Sequence, residues 1–312
     1  MSPERRRLHV VFMGTAPFSL LALRVLSASE KVAAVVTQPD RPRGRGRKVS
    51  PPPVKEFATD LGLPVLQPER VKDQDFISLL KELHPELIVV AAFGQILPSA
   101  LLEIPPLGCV NVHPSLLPKY RGAAPINWAI IKGEARTGVT TYLMDEGMDT
   151  GDILLVQEAE VGRDETAQEL GERLAELGAK LLLETIRGLK EGTLQPIPQD
   201  EEGASYAPML KKDDGLIQWE WEAHQIRNQI RGMIPWPVAF TLWGGKRIKI
   251  YQGITGDGKG IPGEVISLQR AIEVACGERS LFIKELQMEG GRRMGWDEFA
   301  RGHRLTLGER LG

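Results

Sequence analysis

Cysteine is nearly absent from this chain, with only Cys109 and Cys276 in 312 residues. Neither belongs to a Cys-x-x-Cys pair, so a disulfide framework and a cysteine-built zinc site are excluded. The five histidines are scattered and show no metal-binding spacing such as His-Glu-x-x-His, so no metal is expected. An excess of one charge is also missing. The formal net charge is −2, so any contact with nucleic acid must rest on a local patch. No apolar run approaches the about 20 residues of a membrane-spanning helix. The apolar run at 8–13 follows a basic start but is too short for a secretion signal. A cytoplasmic location without membrane association is the expectation. What is present suits a folded protein: 42% of residues are hydrophobic and 26% charged. At this length two domains are expected rather than one core.

The first two-thirds alternates short apolar runs with amphipathic stretches. Runs at 8–13, 32–37, 86–93, 109–113, 138–144 and 153–156 are bounded by Gly, Pro or Asp and read as strands. Segments 18–28, 54–61, 75–83, 124–131 and 166–189 repeat apolar residues every three or four positions and read as helices. Such alternation predicts an α/β fold, a Rossmann-like doubly wound, mostly parallel sheet spanning 1–190. Gly, Pro, Gln and Asp dominate 191–206, which reads as a linker. Residues 207–312 carry short strand-like runs at 216–221, 239–243, 246–251, 263–268, 271–276 and 281–287, with one helix at 223–232. These predict a small OB-like β-barrel. Trp219, Trp221, Trp236 and Trp243 are expected to pack this second domain and its junction. It holds 16 Lys+Arg against 13 Asp+Glu, whereas the rest of the chain is net negative. That asymmetry inclines it toward an anionic partner.

Three segments could carry chemistry. In Cys109-Val110-Asn111-Val112-His113-Pro114-Ser115-Leu116-Leu117-Pro118, strand alternation puts Asn111 and His113 on one face. They either project together beyond the strand's carboxyl end, where open α/β sheets bind ligands, or simply satisfy a strand end. In Met144-Asp145-Glu146-Gly147-Met148-Asp149-Thr150-Gly151-Asp152, acids and glycines form a loop able to approach a ligand closely or to serve as a turn. Its spacing is not that of a calcium loop. Finally, Arg41, Arg43, Arg45, Arg47 and Lys48 crowd five cations into eight positions. Pro42, Gly44 and Gly46 argue against regular structure there, and the run stays solvated unless an anion meets it.

Together these residues resemble the 10-formyltetrahydrofolate-dependent formyltransferases. Asn111-Val112-His113-Pro114-Ser115-Leu116-Leu117-Pro118 is similar to the family signature, and Asp149-Thr150-Gly151 to its aspartate loop. Lys119-Tyr120-Arg121-Gly122-Ala123-Ala124-Pro125-Ile126, Gly14-Thr15 with Phe18, Thr37-Gln38-Pro39-Asp40-Arg41-Pro42, Gly44-Arg45-Gly46 and Pro235-Trp236-Pro237 resemble the members that act on initiator Met-tRNA. The resemblance covers most of the chain. It implies that Asn111, His113 and Asp149 are catalytic. The amine of an aminoacyl-tRNA would attack the formyl carbon, with Asn111 and a protonated His113 donating to the oxyanion. Asp149 would hold His113 charged and oriented. It implies a folate pocket walled by Phe93, Gly94, Gln95, Ile96, Leu97, Ser115, Leu116, Leu117, Pro118, Asp145 and Gly147. On their own pattern, Phe93 and Ile96 read equally as core. The basic loop would enter the tRNA acceptor end, with Arg45 matching a key arginine. Lys211, Lys212, Arg227, Arg231, Lys246, Arg247 and Lys249 would contact phosphates along the second domain. Met209 stands where the family often has lysine. A monomer is expected. Other readings are transfer to a small amine (glycinamide ribonucleotide or an amino sugar-nucleotide), hydrolysis of the folate, and a non-catalytic RNA-binding module.

Overall fold

The computed structural model describes residues 6–43 and 48–312. The chain divides into two compact units. The first holds residues up to Pro125 with Arg136–Glu160 and Gly171–Ala207; the second holds Ile126–Ala135, Val161–Leu170 and Pro208–Gly312.

The first unit is built on strands β1 (His9–Gly14), β2 (Lys31–Val36), β3 (Arg41–Arg43), β4 (Lys48–Ser50), β5 (Val65–Leu66), β6 (Leu87–Ala91), β7 (Cys109–His113), β8 (Arg136–Leu143) and β9 (Ile153–Glu160). Seven of them form one sheet in the order β5-β2-β1-β6-β7-β8-β9. The pairs from β5 to β7 are parallel, and β8 and β9 run antiparallel. The parallel centre explains the apolar runs, since strands covered on both faces need no polar alternation. Every residue of β6 and β7 is buried. Each fully buried Val, Leu or Ile there contributes about 1.5–3 kcal/mol. Strand order reverses between β1 and β6, which places the topological switch at Gly14 and Ala91. Thr15 N donates across it to the Ala92 carbonyl, and Thr15 Oγ1 to that of Phe93. Ligand crevices of open α/β sheets form at such points.

Helices α1 (Leu20–Ser29), α2 (Pro53–Asp60), α3 (Gln74–Glu82), α4 (Ser99–Leu102), α5 (Pro125–Ile131) and α6 (Ala167–Glu191) fall between the strands. On α6, an added Cβ at Gly178 would meet Val112 Cγ1 at 2.9 Å and Val139 Cγ1 at 3.4 Å, so glycine permits the close helix–sheet contact. Thr185 on the same helix exchanges a 2.7 Å hydrogen bond with Thr141. These contacts assign the Val112–Thr141 side of β7 and β8 to the helix. Asn111, His113, Thr140 and Tyr142 therefore share the other face.

β3 and β4 form a separate hairpin rather than an irregular loop. Pro42 sits where it need donate no ladder bond beyond a two-stranded ribbon. Residues 191–206 are not detached from the first unit. Ile197 pairs with Ile153 in both directions, Arg121 N donates to Ser205 O, and Ala207 N donates to Arg121 O.

The second unit carries α7 (Ala223–Gly232), β10 (Phe240–Trp243), β11 (Lys246–Gly256), β12 (Val265–Ser267), β13 (Ile272–Ala275), β14 (Ser280–Met288), β15 (Met294–Gly295) and α8 (Trp296–His303). Its antiparallel sheet, ordered β10-β11-β14-β13-β12 with β15 added to β14, curls into a half-barrel. Ile226 and Ile230 of α7, Ile248, Val274, Leu281 and Phe299 fill its core. The strand expected at 216–221 is not formed. Only Leu216 makes a bridge, to Phe240, and the chain then turns, with Trp221 N donating to Gln218 O. Trp219 is buried and donates to Thr241 Oγ1, whereas Trp221 and Trp236 are 43% and 51% exposed rather than packed. Among the described residues no helix is long and apolar enough to cross a membrane.

Candidate active site

His113 is the last residue of β7, and Asn111 lies two positions earlier on the same face. Both are buried, at 4% and 8% exposure, so they do not project past an open strand end. The segment after β7 folds back over this face. Ser115 Oγ donates to Lys119 O, Thr140 Oγ1 donates to Ser115 O, and Leu117 N donates to Thr140 Oγ1. These bonds carry the backbone of 115–122 across Asn111 and His113.

The acidic loop completes the cluster. Asp149 has a φ of 57°, a left-handed conformation that aspartate tolerates better than most residues. Its Oδ2 accepts from Gly122 N at 2.6 Å, and its Oδ1 accepts from the Tyr142 hydroxyl at 2.6 Å. Tyr142 in turn accepts from Asn111 Nδ2 at 3.0 Å. His113 Nδ1 stands 3.7 Å from Asp149 Oδ2, an ion-pair distance but too long for a hydrogen bond. The orientation of the imidazole is set elsewhere. Nε2 lies 3.0 Å from the carbonyl of Tyr120, itself in a left-handed conformation with φ 61°. A carbonyl only accepts, so Nε2 carries a proton and Nδ1 is left for the interior of the site. The ring is thus held by the Tyr120 carbonyl on one side and faces Asp149 on the other.

Loop glycines act by close approach rather than by positive φ. A Cβ on Gly151 would lie 1.8 Å from the Leu143 carbonyl oxygen, and one on Gly147 would lie 1.9 Å from Thr150 Oγ1. A second layer holds the loop from behind. Gln199 Nε2 donates to the carbonyls of Asp149 and Gly151, and Gln199 Oε1 accepts from the guanidinium of Arg121. That guanidinium is fully buried and also reaches Glu201, which keeps the Glu201 carboxyl below its usual range. Burial, then the charge of Asp149, pushes the Tyr142 phenol well above its ordinary value. The phenol therefore keeps its proton and donates it.

One polar atom in the cluster is left over. Asn111 Oδ1 is buried without a hydrogen-bond partner. Orphaned buried acceptors are costly, and one facing a candidate site fits a bound donor.

The expected folate wall divides. Phe93 and Leu97 pack into the sheet core and support the 93–97 loop from below. Gly94 is exposed and Ile96 is 66% exposed, so both are open to a ligand. Gln95 spends its side chain on Val71 N and Glu69 O. Ser115 is buried with its hydroxyl used, Leu117 is buried, and Leu116 and Pro118 are half-buried. Asp145 Oδ1 caps its own turn through Gly147 N and Thr150 Oγ1.

Of the cations, Arg41 is exposed, Arg43 and Lys48 lie in the hairpin strands, and Arg45 and Arg47 fall outside the described residues. Lys211, Lys212 and Lys246 are exposed. Arg247 and Lys249 flank buried Ile248 on the outer side of β11, and Arg247 stacks 3.9 Å from the Phe240 ring centre. Arg227 and Arg231 are corrections. Arg227 pairs with Asp164 and donates to Arg163 O. Arg231 is buried and donates to the carbonyls of Gly162 and Glu165. Both hold the second unit together and are not open to phosphate.

A cavity of about 630 Å³ opens at the opposite, amino-terminal ends of the strands, beside Leu8, Glu30, Glu86 and Leu107. Its two innermost acids have partners: Glu30 pairs with Lys190 and accepts from Leu8 N, and Glu86 pairs with Arg6. The Asn111, His113 and Asp149 cluster lies at the other, carboxyl-terminal end. Among the described residues no group of three or more His, Cys, Asp or Glu could hold a metal.

Sequence reasoning missed Tyr142, Gln199 and the buried role of Arg121. For Tyr142 the usable signal was parity. It faces Asn111 in the β7–β8 register, which becomes visible only once that antiparallel pairing is known.

The chain matches a known class. Residues 8–186 match the formyl transferase family and residues 209–304 its C-terminal domain. The chain belongs to the formyl transferase family. More particularly, it is 53% identical over 307 residues to the methionyl-tRNA formyltransferase of Citrifermentans bemidjiense, covering 98% of this chain and 96% of the relative. It is 50% identical over 310 residues to that of Acetivibrio thermocellus, covering 98% of this chain and all of the relative. Solved structures share the fold at lower identity. HypX from Aquifex aeolicus in complex with tetrahydrofolic acid superposes with a TM-score of 0.63 at 17% identity, over 95% of this chain and 47% of that one. The sugar 3N-formyl transferase WlaRD gives 0.65 at 18%, over 89% and 98%.

Proposed function

We propose that this chain transfers the formyl group of 10-formyltetrahydrofolate to the α-amino group of methionine on initiator Met-tRNA, for translation initiation. Similarity along the full length to methionyl-tRNA formyltransferases supports the substrate pair. The observation that carries the chemistry is the convergence of Asn111, His113 and Asp149 beside the orphaned Asn111 Oδ1.

When bound, the folate supplies an electrophilic formyl carbon. The residues of the chain do the rest. Asn111 has a second Nδ2–H beyond the one given to Tyr142, and this donates to the formyl oxygen as negative charge develops there. His113 Nδ1, when protonated, is a second donor from the same face. Asp149 Oδ2 stands 3.7 Å from Nδ1 and so leaves that position free to donate, and it can accept a proton from the attacking amine. Asn111 Oδ1 accepts from the amine and orients it. No covalent enzyme intermediate is needed, because the acceptor is already a nucleophile: the bond from the formyl carbon to the folate's N10 breaks as the adduct collapses, and N10 takes up the proton given up by the amine, leaving tetrahydrofolate. Cys109 takes no part. Burial pushes its thiol up to about 12, which keeps it protonated.

Gly94, Ile96, Leu116, Pro118 and the backbone of 145–147 form the side on which the folate binds, with Phe93, Leu97, Ser115 and Leu117 as the packed support. Arg41, Arg43, Arg45, Arg47 and Lys48 engage the tRNA acceptor end, and Lys211, Lys212, Arg247 and Lys249 its phosphates.

The test is single-turnover formyl transfer by wild type, Asn111→Ala and His113→Ala. Loss of one oxyanion donor lowers the rate by about 10²–10³-fold. Unchanged turnover in both variants would sink this site.

A further inference from the structure

The phenol of Tyr142 is 1% exposed and stands opposite Asn111 across β7 and β8. Its oxygen joins two of the three proposed catalytic side chains. It accepts from Asn111 Nδ2 at 3.0 Å and donates to Asp149 Oδ1 at 2.6 Å.

The direction of these bonds follows from chemistry. An ionised carboxylate only accepts, so the phenol proton goes to Asp149. The phenol oxygen then offers Asn111 a lone pair. The amide must answer with its NH₂ and turn Oδ1 away. Asn111 Oδ1 has no partner of its own, so the bond to Tyr142 decides which way the amide faces. A flipped amide would present a carbonyl to a position that needs a donor. The titratable groups around the pair are His113 on β7 and Asp145 at the start of the Asp149 loop.

We infer that Tyr142 is a positioning residue for formyl transfer, its hydroxyl locking the Asn111 amide in the donating orientation and tying it to Asp149. This rests on the catalytic reading of Asn111 and Asp149 under the proposed function. Tyr142 does not touch substrate.

Tyr142→Phe deletes one atom and keeps the ring. The single-turnover transfer rate is expected to fall about tenfold or more, with KM for tRNA and for folate moving less than about twofold. That split marks an interaction lost from the transition state alone. A second readout is independent of activity. The chain has three asparagines, Asn111, Asn127 and Asn228, so ¹⁵N-asparagine labelling resolves the Asn111 amide. In wild type, one Nδ2 proton of Asn111 is expected to exchange slowly with solvent; in Tyr142→Phe both exchange rapidly. The wild-type spectrum keeps the inference open to refutation even if the variant folds poorly, since rapid exchange of both protons there overturns it. So does a folded Tyr142→Phe that transfers at the wild-type rate. Asn111→Ala is run beside it. Full activity in that variant removes the underlying reading and this inference together. Loss in Asn111→Ala without loss in Tyr142→Phe overturns this inference alone.

Discussion

Gly151→Ala removes nothing from the molecule and is nonetheless expected to disable it. The added Cβ would lie 1.8 Å from the Leu143 carbonyl oxygen, and Cβ contacts below 3.0 Å are essentially never seen. The backbone must therefore open by at least about 1.2 Å, because the obstacle is a main-chain atom of β8 and not the end of a flexible side chain. The neighbourhood cannot yield easily. Leu143 N donates to Asp152 O, and Gln199 holds the carbonyls of both Asp149 and Gly151. The displacement is thus passed to Asp149, two residues away. Overpacking of this kind costs about 1–3 kcal/mol of stability. A misplacement of about 1 Å at a reacting group costs on the order of 10²-fold in rate. Single-turnover transfer and thermal melting are measured together, with Gly302→Ala as control. Gly302 lies in α8 with nothing within 4 Å of an added methyl, so alanine there stabilises by about 0.4–1 kcal/mol and leaves the rate alone. A Gly151→Ala enzyme with the wild-type rate would refute the claim that this turn fixes Asp149.

Other expectations follow from the same physics. Burial pushes the thiols of Cys109 and Cys276 up to about 12, so both stay protonated at pH 8 and resist alkylation in the native state; mass spectrometry showing rapid modification before unfolding would contradict this. Arg231→Met leaves the carbonyls of Gly162 and Glu165 short of a donor, so it is expected to lower stability by about 1–3 kcal/mol in urea titration while tRNA affinity of the folded enzyme stays unchanged; selective loss of tRNA affinity would return Arg231 to the phosphate contacts. Arg45→Ala is expected to weaken use of tRNA far more than of folate, and tRNA binding should fall steeply with salt; equal loss of both substrates, or a flat salt series, would refute a dedicated basic loop.

The fold was legible where local pattern and tertiary need agree. β7 begins and ends at Cys109 and His113 as its apolar run predicts, and the long Leu stripe at 166–189 is α6 to within two residues. It was illegible where packing overrides pattern. Residues 216–221 look like a strand, but Trp219 turns into the half-barrel core and its carbonyl accepts from Gly277 N, which bends the chain. Helix α8 is short and set among Gly and Arg, and it is anchored by buried Phe299 with Trp296 packed partly buried against the same core. The composition of 191–206 suggests a free connector, but polar residues such as Gln199 and Ser205 are there because they bond the loops at 118–124 and 149–151. The same reason hid Tyr142: its meaning lies in a cross-strand neighbour, which spacing along the chain does not reveal. Arg227 and Arg231 show the converse. A cation in a basic domain reads as a surface contact until its partners are seen to be carbonyls and a carboxylate of its own unit.

The most direct test of the central claim is a comparison of acceptors under one set of conditions. Formyl transfer from 10-formyltetrahydrofolate is followed with initiator Met-tRNA, elongator Met-tRNA, glycinamide ribonucleotide, an amino sugar-nucleotide and buffer alone. Selective formylation of the initiator is the expected result. Transfer to either small amine, or release of formate in buffer at a comparable rate, would contradict the account.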